Sequence, residues 1–361
     1  MPRITSKKIG VALDMRGCPN KCRHCYLGFG TNRAMSDDDL CWMAKQFRNY
    51  IETADTPIKS LDISSSLREP DFSDEYRHLY ELEKELSHGE PVRYELLSVW
   101  RLACDKDYPA WAKSVGPQTC QITVFGMEET TDWFYRRKDA FKDALTATEN
   151  LLEVGMKPRW QLVLTKKLIP EVDELLNLIE RLKLRECIQR IGSEFQLFMH
   201  APDPLDEGRK IEHLRPTLEE VASLPEEILE ASRRHLKTQT LWQTEGELYK
   251  AIMTSEQPLI TPSQVWFFVT NKWDVFSNAG TLEPWWKLGN LKKDSVETII
   301  RRFEQDEILG LEILLHYQQR KLAEEYGDPQ GKKIYGGRTD LIDLYLGTHC
   351  EKIWQGRARA W

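Results

Sequence analysis

Positive charge is scarce in this sequence: 50 Lys and Arg face 57 Asp and Glu over 361 residues, a formal charge of −7. Without a basic excess there is no electrostatic footprint for a nucleic-acid backbone. Long apolar runs are missing too. No stretch reaches the roughly 18 residues of a membrane-spanning helix, and the opening MPRITSKK lacks the apolar segment of a secretory signal. The expectation is a cytoplasmic protein with neither membrane nor nucleic-acid partners. Internal repeats and low-complexity tracts are also absent. Cysteines spread for a disulfide framework are lacking: the eight lie at 18, 22, 25, 41, 104, 120, 187 and 350, three of them within eight residues. In a reducing compartment such a cluster binds metal or does redox chemistry. What is present, 41% hydrophobic and 30% charged residues, is the composition of a globular protein with a sizeable core.

Short β-branched runs alternate with helical patterns along the first two thirds. Strands are expected at about Lys8 to Met15, Ser60 to Ser66, Val92 to Trp100, Gln118 to Phe125, Arg159 to Lys166 and Glu194 to His200. Helices are expected after Ser36, where Asp37, Asp38 and Asp39 form an acidic first turn, and over about 72–87, 140–154 and 171–184. Strands each followed by a helix predict an α/β fold with a parallel sheet and right-handed crossovers. Ligands in such folds gather at the carboxyl ends of the strands. The alternation weakens after about residue 216, so we divide the chain into an α/β domain, 1–216, and a mostly helical extension, 217–361, with a Trp-rich strand-like piece near 265–276.

The loop after the first strand reads Cys18-Pro-Asn-Lys-Cys22-Arg-His-Cys25, a C-x₃-C-x₂-C spacing. Three thiolates on one short loop can face a single metal centre. Zinc normally takes a fourth Cys or His. His24 lies between two of the cysteines and is poorly placed for that role, and Cys41 falls in a predicted helix. Fe–S clusters also normally take four thiolates, so three ligands leave one iron open for chemistry. A non-catalytic zinc protein is the alternative of another class.

Here the sequence resembles the radical S-adenosylmethionine (radical SAM) superfamily, whose signature is this spacing after the first strand of a partial (β/α)₆ barrel. The resemblance implies Cys18, Cys22 and Cys25 as ligands of one [4Fe–4S] cluster, with the His24 backbone near the adenine of SAM. Ser64-Ser65-Ser66-Leu67-Arg68-Glu69-Pro70 stands where many members carry Gly-Gly-Glu-Pro, which implies Glu69, with Ser66, as a partner of the SAM ammonium. Arg136 or Arg137 matches an arginine that contacts the SAM carboxylate, although Thr131 replaces a common His and Asp139 a common Gly. Gln161 is expected to face the cofactor. The implied chemistry is reductive cleavage of SAM to a 5′-deoxyadenosyl radical that abstracts hydrogen from a substrate, the electron coming from a flavodoxin- or ferredoxin-type donor.

The stretch from Asn271 through Leu288-Gly289-Asn290-Leu291 is similar to the SPASM-type extension of some members, which carries auxiliary clusters on cysteines. This stretch has none, so one cluster is expected, and epimerisation or another redox-neutral step is favoured on a polar natural-product or carbohydrate-like substrate. Modification of a ribosomally made peptide is the alternative. Epimerisation needs a hydrogen-atom donor, and Cys104, Cys187 and Cys350 are the candidates, although each taken singly reads more readily as a packed core thiol. The tail tryptophans are read mainly as packing. Arg101 and Glu194 are candidate substrate contacts near strand ends, and His200, at the end of the sixth strand, is a candidate site base or a plain loop residue.

Overall fold

The structure is a computed structural model and describes residues 4–65, 67–69, 71–89, 91, 95–254 and 264–359. Strand β1, Lys8–Leu13, is buried at five of its six positions and pairs in parallel with β2, Ser60–Ser64, from Lys8↔Ser60 to Ala12↔Ser64. A strand buried on both faces belongs in the middle of a parallel sheet. The connecting helix Asp37–Thr53 starts at Ser36, whose hydroxyl accepts from the Asp39 amide in a capping box, and buries Leu40, Met43, Ala44 and Phe47. That helix begins where the sequence places it.

A second parallel group consists of β3, Thr119–Val124, β4, Lys157–Val163, and β5, Gln196–His200, in the order β3-β4-β5. Helices Ala140–Glu153, Val172–Arg181 and Leu184–Arg190 form its crossovers. Trp160, Leu162, Ile122, Val124, Leu197 and Met199 point to the helix side and share one core. The alternate residues Gln121, Thr123, Arg159, Gln161 and His200 are half-buried on the opposite, inner face.

The expected strand at Val92 to Trp100 needs correction. Residues 92–94 lie outside the described residues; Glu95 runs beside β3, its carbonyl accepting from the Gln121 amide at 2.8 Å. By Val99 the chain is helical, over Val99–Cys104, because the Ser98 hydroxyl accepts from the Arg101 amide and starts a turn. Cys104 and Arg101 therefore belong to a helix, not to a strand end.

The extension enters the first sheet. After β6, Gln243–Thr244, strand β7, Val265–Val269, pairs in parallel with β1 from Ile9↔Val265 to Leu13↔Val269. It forms a hairpin with β8, Asp274–Ser277, and β9, Gly289–Asn290, follows, giving the order β2-β1-β7-β8-β9. The Trp266 ring lies 2.2 Å from where a Cβ on Gly10 would be, so only glycine lets the ring cross β1. Strand β10, Ile334–Tyr335, pairs with β6 ahead of the terminal helix Arg338–Arg359. One core joins Phe47 and Ile63 to Phe267, Phe303 and Tyr345, so the sheet and its core cross residue 216. The outer edge of β5 meets a helix: the Met199 amide donates to Ser232 Oγ, in Glu226–Leu236, at 2.9 Å.

Candidate active site

The cysteine loop is fastened from three sides. Gly17, at φ +83°, turns the chain out of β1, its amide donating to Asp14 Oδ1 at 2.6 Å; a Cβ there would meet Asn32 and the Thr31 carbonyl at 2.7 Å. The Lys21 and Arg23 amides donate to the carbonyls of Tyr135 and Phe134, the end of helix Glu128–Tyr135. Arg23 covers the Trp133 ring at 4.0 Å. Behind the loop, Asp14 pairs with Arg68, both buried.

All three thiols are half-buried and free. Burial, then Glu69, pushes the Cys18 thiol well up; burial, then Cys25, does the same to Cys22, and burial raises Cys25. Such thiols stay protonated by themselves, and a metal's positive charge is what would hold them as thiolates. Glu69 joins them: Ser98 donates to Oε1 at 2.7 Å and the Cys18 sulfur lies 3.6 Å from Oε2. Burial raises this carboxyl to about 7, against the lowering hydrogen bonds from Ser98 and Cys18. Arg137 reaches the loop between Cys18 and Cys22, donating to Asn20 Oδ1 at 2.7 Å and pairing with Asp143 at 2.6 Å. Arg136 instead stacks over Phe29 at 4.6 Å, with Glu207 3.7 Å away. Asp139 holds φ +62°, which explains why a glycine suits that position. Thr131 closes the Gly126 turn, donating to the Gly126 carbonyl at 2.7 Å. Ser66 and Pro70 lie outside the described residues.

His24 packs on Phe125 at 4.5 Å, and its Nδ1 is buried without a partner among the described residues. Burial, then His200, depresses it to about 3, so it is neutral. Gln161 sits on the inner face of β4, bonded to Gln121, Thr123 and His200. The tail supplies Asp340 and Asp343, which with Asp203, three residues past β5, form an acidic group; burial, then Asp340 and Asp203, raises Asp343 to about 7.

The remaining candidates stand apart. Cys350 is 0% exposed in the core of the first sheet, Cys187 is half-buried in Leu184–Arg190 and Cys104 ends its helix exposed. Arg101 is consumed structurally, donating to the Asp71 and Phe72 carbonyls at 2.6 and 2.9 Å. Glu194 is exposed at the amino end of β5, away from the site. Trp285, Trp286 and Trp273 are buried packing residues, and Trp361 lies outside the described residues.

No family model matches the sequence, and no curated protein resembles it in sequence. Solved structures do match in fold. The radical SAM enzyme anSMEcpe with bound AdoMet superposes with a TM-score of 0.54 at 13% identity, over 96% of this chain and 100% of that one. The chain has the radical SAM fold. The anSMEcpe complex with AdoMet and the Cp18Cys peptide gives 0.52 at 13% identity, over 96% and 99%. Coproporphyrinogen III oxidase (HemN) from Escherichia coli, described as a radical SAM enzyme, shares 10% identity over 95% and 89% at 0.42.

The cluster site that the cysteine spacing leads one to expect is suited by the residues present. Among the described residues no three His, Cys, Asp or Glu side chains close around a single ion. A cluster holds each thiolate on its own iron and so asks for wider spacing, which a loop carrying three mutually coupled thiols can supply. Sequence reasoning missed Asn20, Ser98, Gln121, Thr123, Asn271 and the Asp203–Asp340–Asp343 group. Of these only Asn20, lying between the cysteines, carried a local signal; the rest meet the site from distant segments.

Proposed function

We propose that the chain is a radical SAM enzyme whose Cys18, Cys22 and Cys25 hold one [4Fe–4S] cluster beside an S-adenosylmethionine site. The observation that carries this reading is three half-buried thiols on one loop of the radical SAM fold, with the Glu69 carboxyl beside Cys18. When bound, cluster and SAM together supply the 5′-deoxyadenosyl radical that takes hydrogen from a substrate. The chain's own residues bind and exclude water. Glu69, aimed by Ser98, offers a carboxylate to the SAM ammonium, and Arg137 brings positive charge to the same loop. His24, neutral and packed on Phe125, walls the adenine side.

The substrate reading is a polar small molecule handled by a redox-neutral step; modification of a peptide is the second reading, favoured by the resemblance to the anSMEcpe–peptide complex. Of the candidate hydrogen donors Cys104 is the exposed one, while the burial of Cys350 weighs against it. Anaerobic reconstitution followed by iron and sulfide analysis and a dithionite assay for 5′-deoxyadenosine tests the core of this reading. About four irons per chain with SAM cleavage is expected, both abolished by replacing the three cysteines together with Ala. Stoichiometric zinc, or iron without SAM cleavage, would refute it.

A further inference from the structure

The inner wall of β3–β5 carries an unbroken hydrogen-bond chain whose direction can be worked out from chemistry. It begins at an ion pair, Arg159 Nη2 to Glu95 Oε2, 2.7 Å. The same nitrogen donates to Gln121 Oε1 at 2.9 Å. A guanidinium can only donate, so the Gln121 oxygen must face it and the Gln121 amide nitrogen must face the next residue. That residue is Gln161, whose Oε1 accepts from Gln121 and also from the Thr123 hydroxyl at 3.3 Å. The Gln161 nitrogen is therefore turned to His200 Nε2, which must be the bare, accepting nitrogen of a neutral ring. Burial, which depresses the imidazole, agrees with that neutral form.

The consequence is an imbalance. Gln161 Oε1 is engaged twice, His200 Nε2 once and Gln121 Oε1 once. Gln121 and Gln161 each keep a second N–H, and Arg159 Nε is buried with no partner among the described residues. Half-buried side chains with spare N–H groups leave the wall short of acceptors. Glu95 neutralises Arg159, so the wall presents donors without a large net charge.

We propose that this wall is the substrate-binding surface and that it selects carbonyl oxygens, those of an amide or a carboxylate, over hydroxyl-only molecules. The proposal rests on the radical SAM reading for the identity of the site, and it directs that reading to amino-acid- or peptide-like substrates. Gln121 and Arg159 are then specificity-determining residues, set deep along the strands below His200.

Saturation-transfer NMR on the anaerobically reconstituted protein tests it with three probes: N-acetylalanine methylamide, free alanine and methyl glucoside. One or both carbonyl probes should bind and the glucoside should not, the amide arm marking a peptide-like substrate and the alanine arm a free carboxylate. Gln121→Leu should raise the Kd of the binding probe at least about tenfold. Gln121→Glu, which keeps the shape and the acceptor for Arg159 but removes the donors, should do the same while iron content and melting temperature stay at wild-type values. Glucoside binding alone, no carbonyl probe binding, or wild-type affinity for the binding probe in both variants would overturn the proposal. Failure of the protein to hold iron or cleave SAM would sink the functional reading instead, since the NMR experiment reads binding without turnover.

Discussion

Glu69 lies 3.6 Å from the Cys18 sulfur, and burial lifts its carboxyl to about 7. A carboxyl so placed is poorly solvated and gains most from a cationic partner, which the SAM ammonium would be. Glu69→Ala should weaken SAM binding about tenfold or more, the loss of one charge-assisted hydrogen bond. Equilibrium dialysis with labelled SAM reads this, and unchanged affinity would mean that the segment after β2 does not bind the ammonium. Glu69 was legible because it sits next to a strand end with Pro70 beside it. Ser98, which orients it, was hidden inside a run taken for a strand. Side-chain partners brought in from 29 residues away leave no local pattern to read.

The clearest element-scale finding is that β7 pairs with β1, so the extension completes the first sheet. Its hairpin turn also clasps the cysteine loop's exit. Asn271, 2% exposed, donates to the Thr31 carbonyl at 2.7 Å and the Arg33 carbonyl at 3.1 Å, and accepts from the Thr31 hydroxyl at 3.0 Å. Asn271→Ala strands those carbonyls and should cost roughly 2 kcal/mol of stability. Chemical denaturation measures that loss, and the loosened segment should bleed cluster iron faster under chelator challenge. Wild-type stability together with wild-type iron retention would show that the clasp is idle. Strands β1 to β5, the β7–β8 pair and the capped helix at Ser36 were readable from periodicity and turn chemistry. The parallel partner of β1, more than 250 residues away, was not, because an alternating apolar strand carries no address for its neighbour.

At the scale of the molecule, the terminal helix brings Asp340 and Asp343 against Asp203 of the loop after β5. Burial first, then the two like charges, raises Asp343 to about 7, above the usual ~3.9 of an aspartate. A carboxyl raised in the folded state contributes stability that is complete below its unfolded pKa and is lost as pH rises through the folded one. The window is therefore about pH 4 to 7. Asp343→Asn should leave the melting temperature near wild type at pH 4 and raise it at pH 8. Equal shifts at both pH values would remove this group from the pH dependence.

Local sequence determined the cysteine loop, the α/β alternation and the helix starts at Asp37 and Ala140, because spacing, capping and strand patterning act over a few residues. It also placed Cys18, Cys22, Cys25 and Glu69 at carboxyl ends of strands. Only the tertiary structure decided that Arg137 reaches Asn20 between the cysteines while Arg136 covers Phe29, that residue 99 is already helical, that Cys350 is core, and that Gln121, Gln161 and His200 form one directed wall. Those outcomes depend on which faces of distant elements meet. That is settled by packing and by the need of every buried polar group for a partner, and neither acts along the chain.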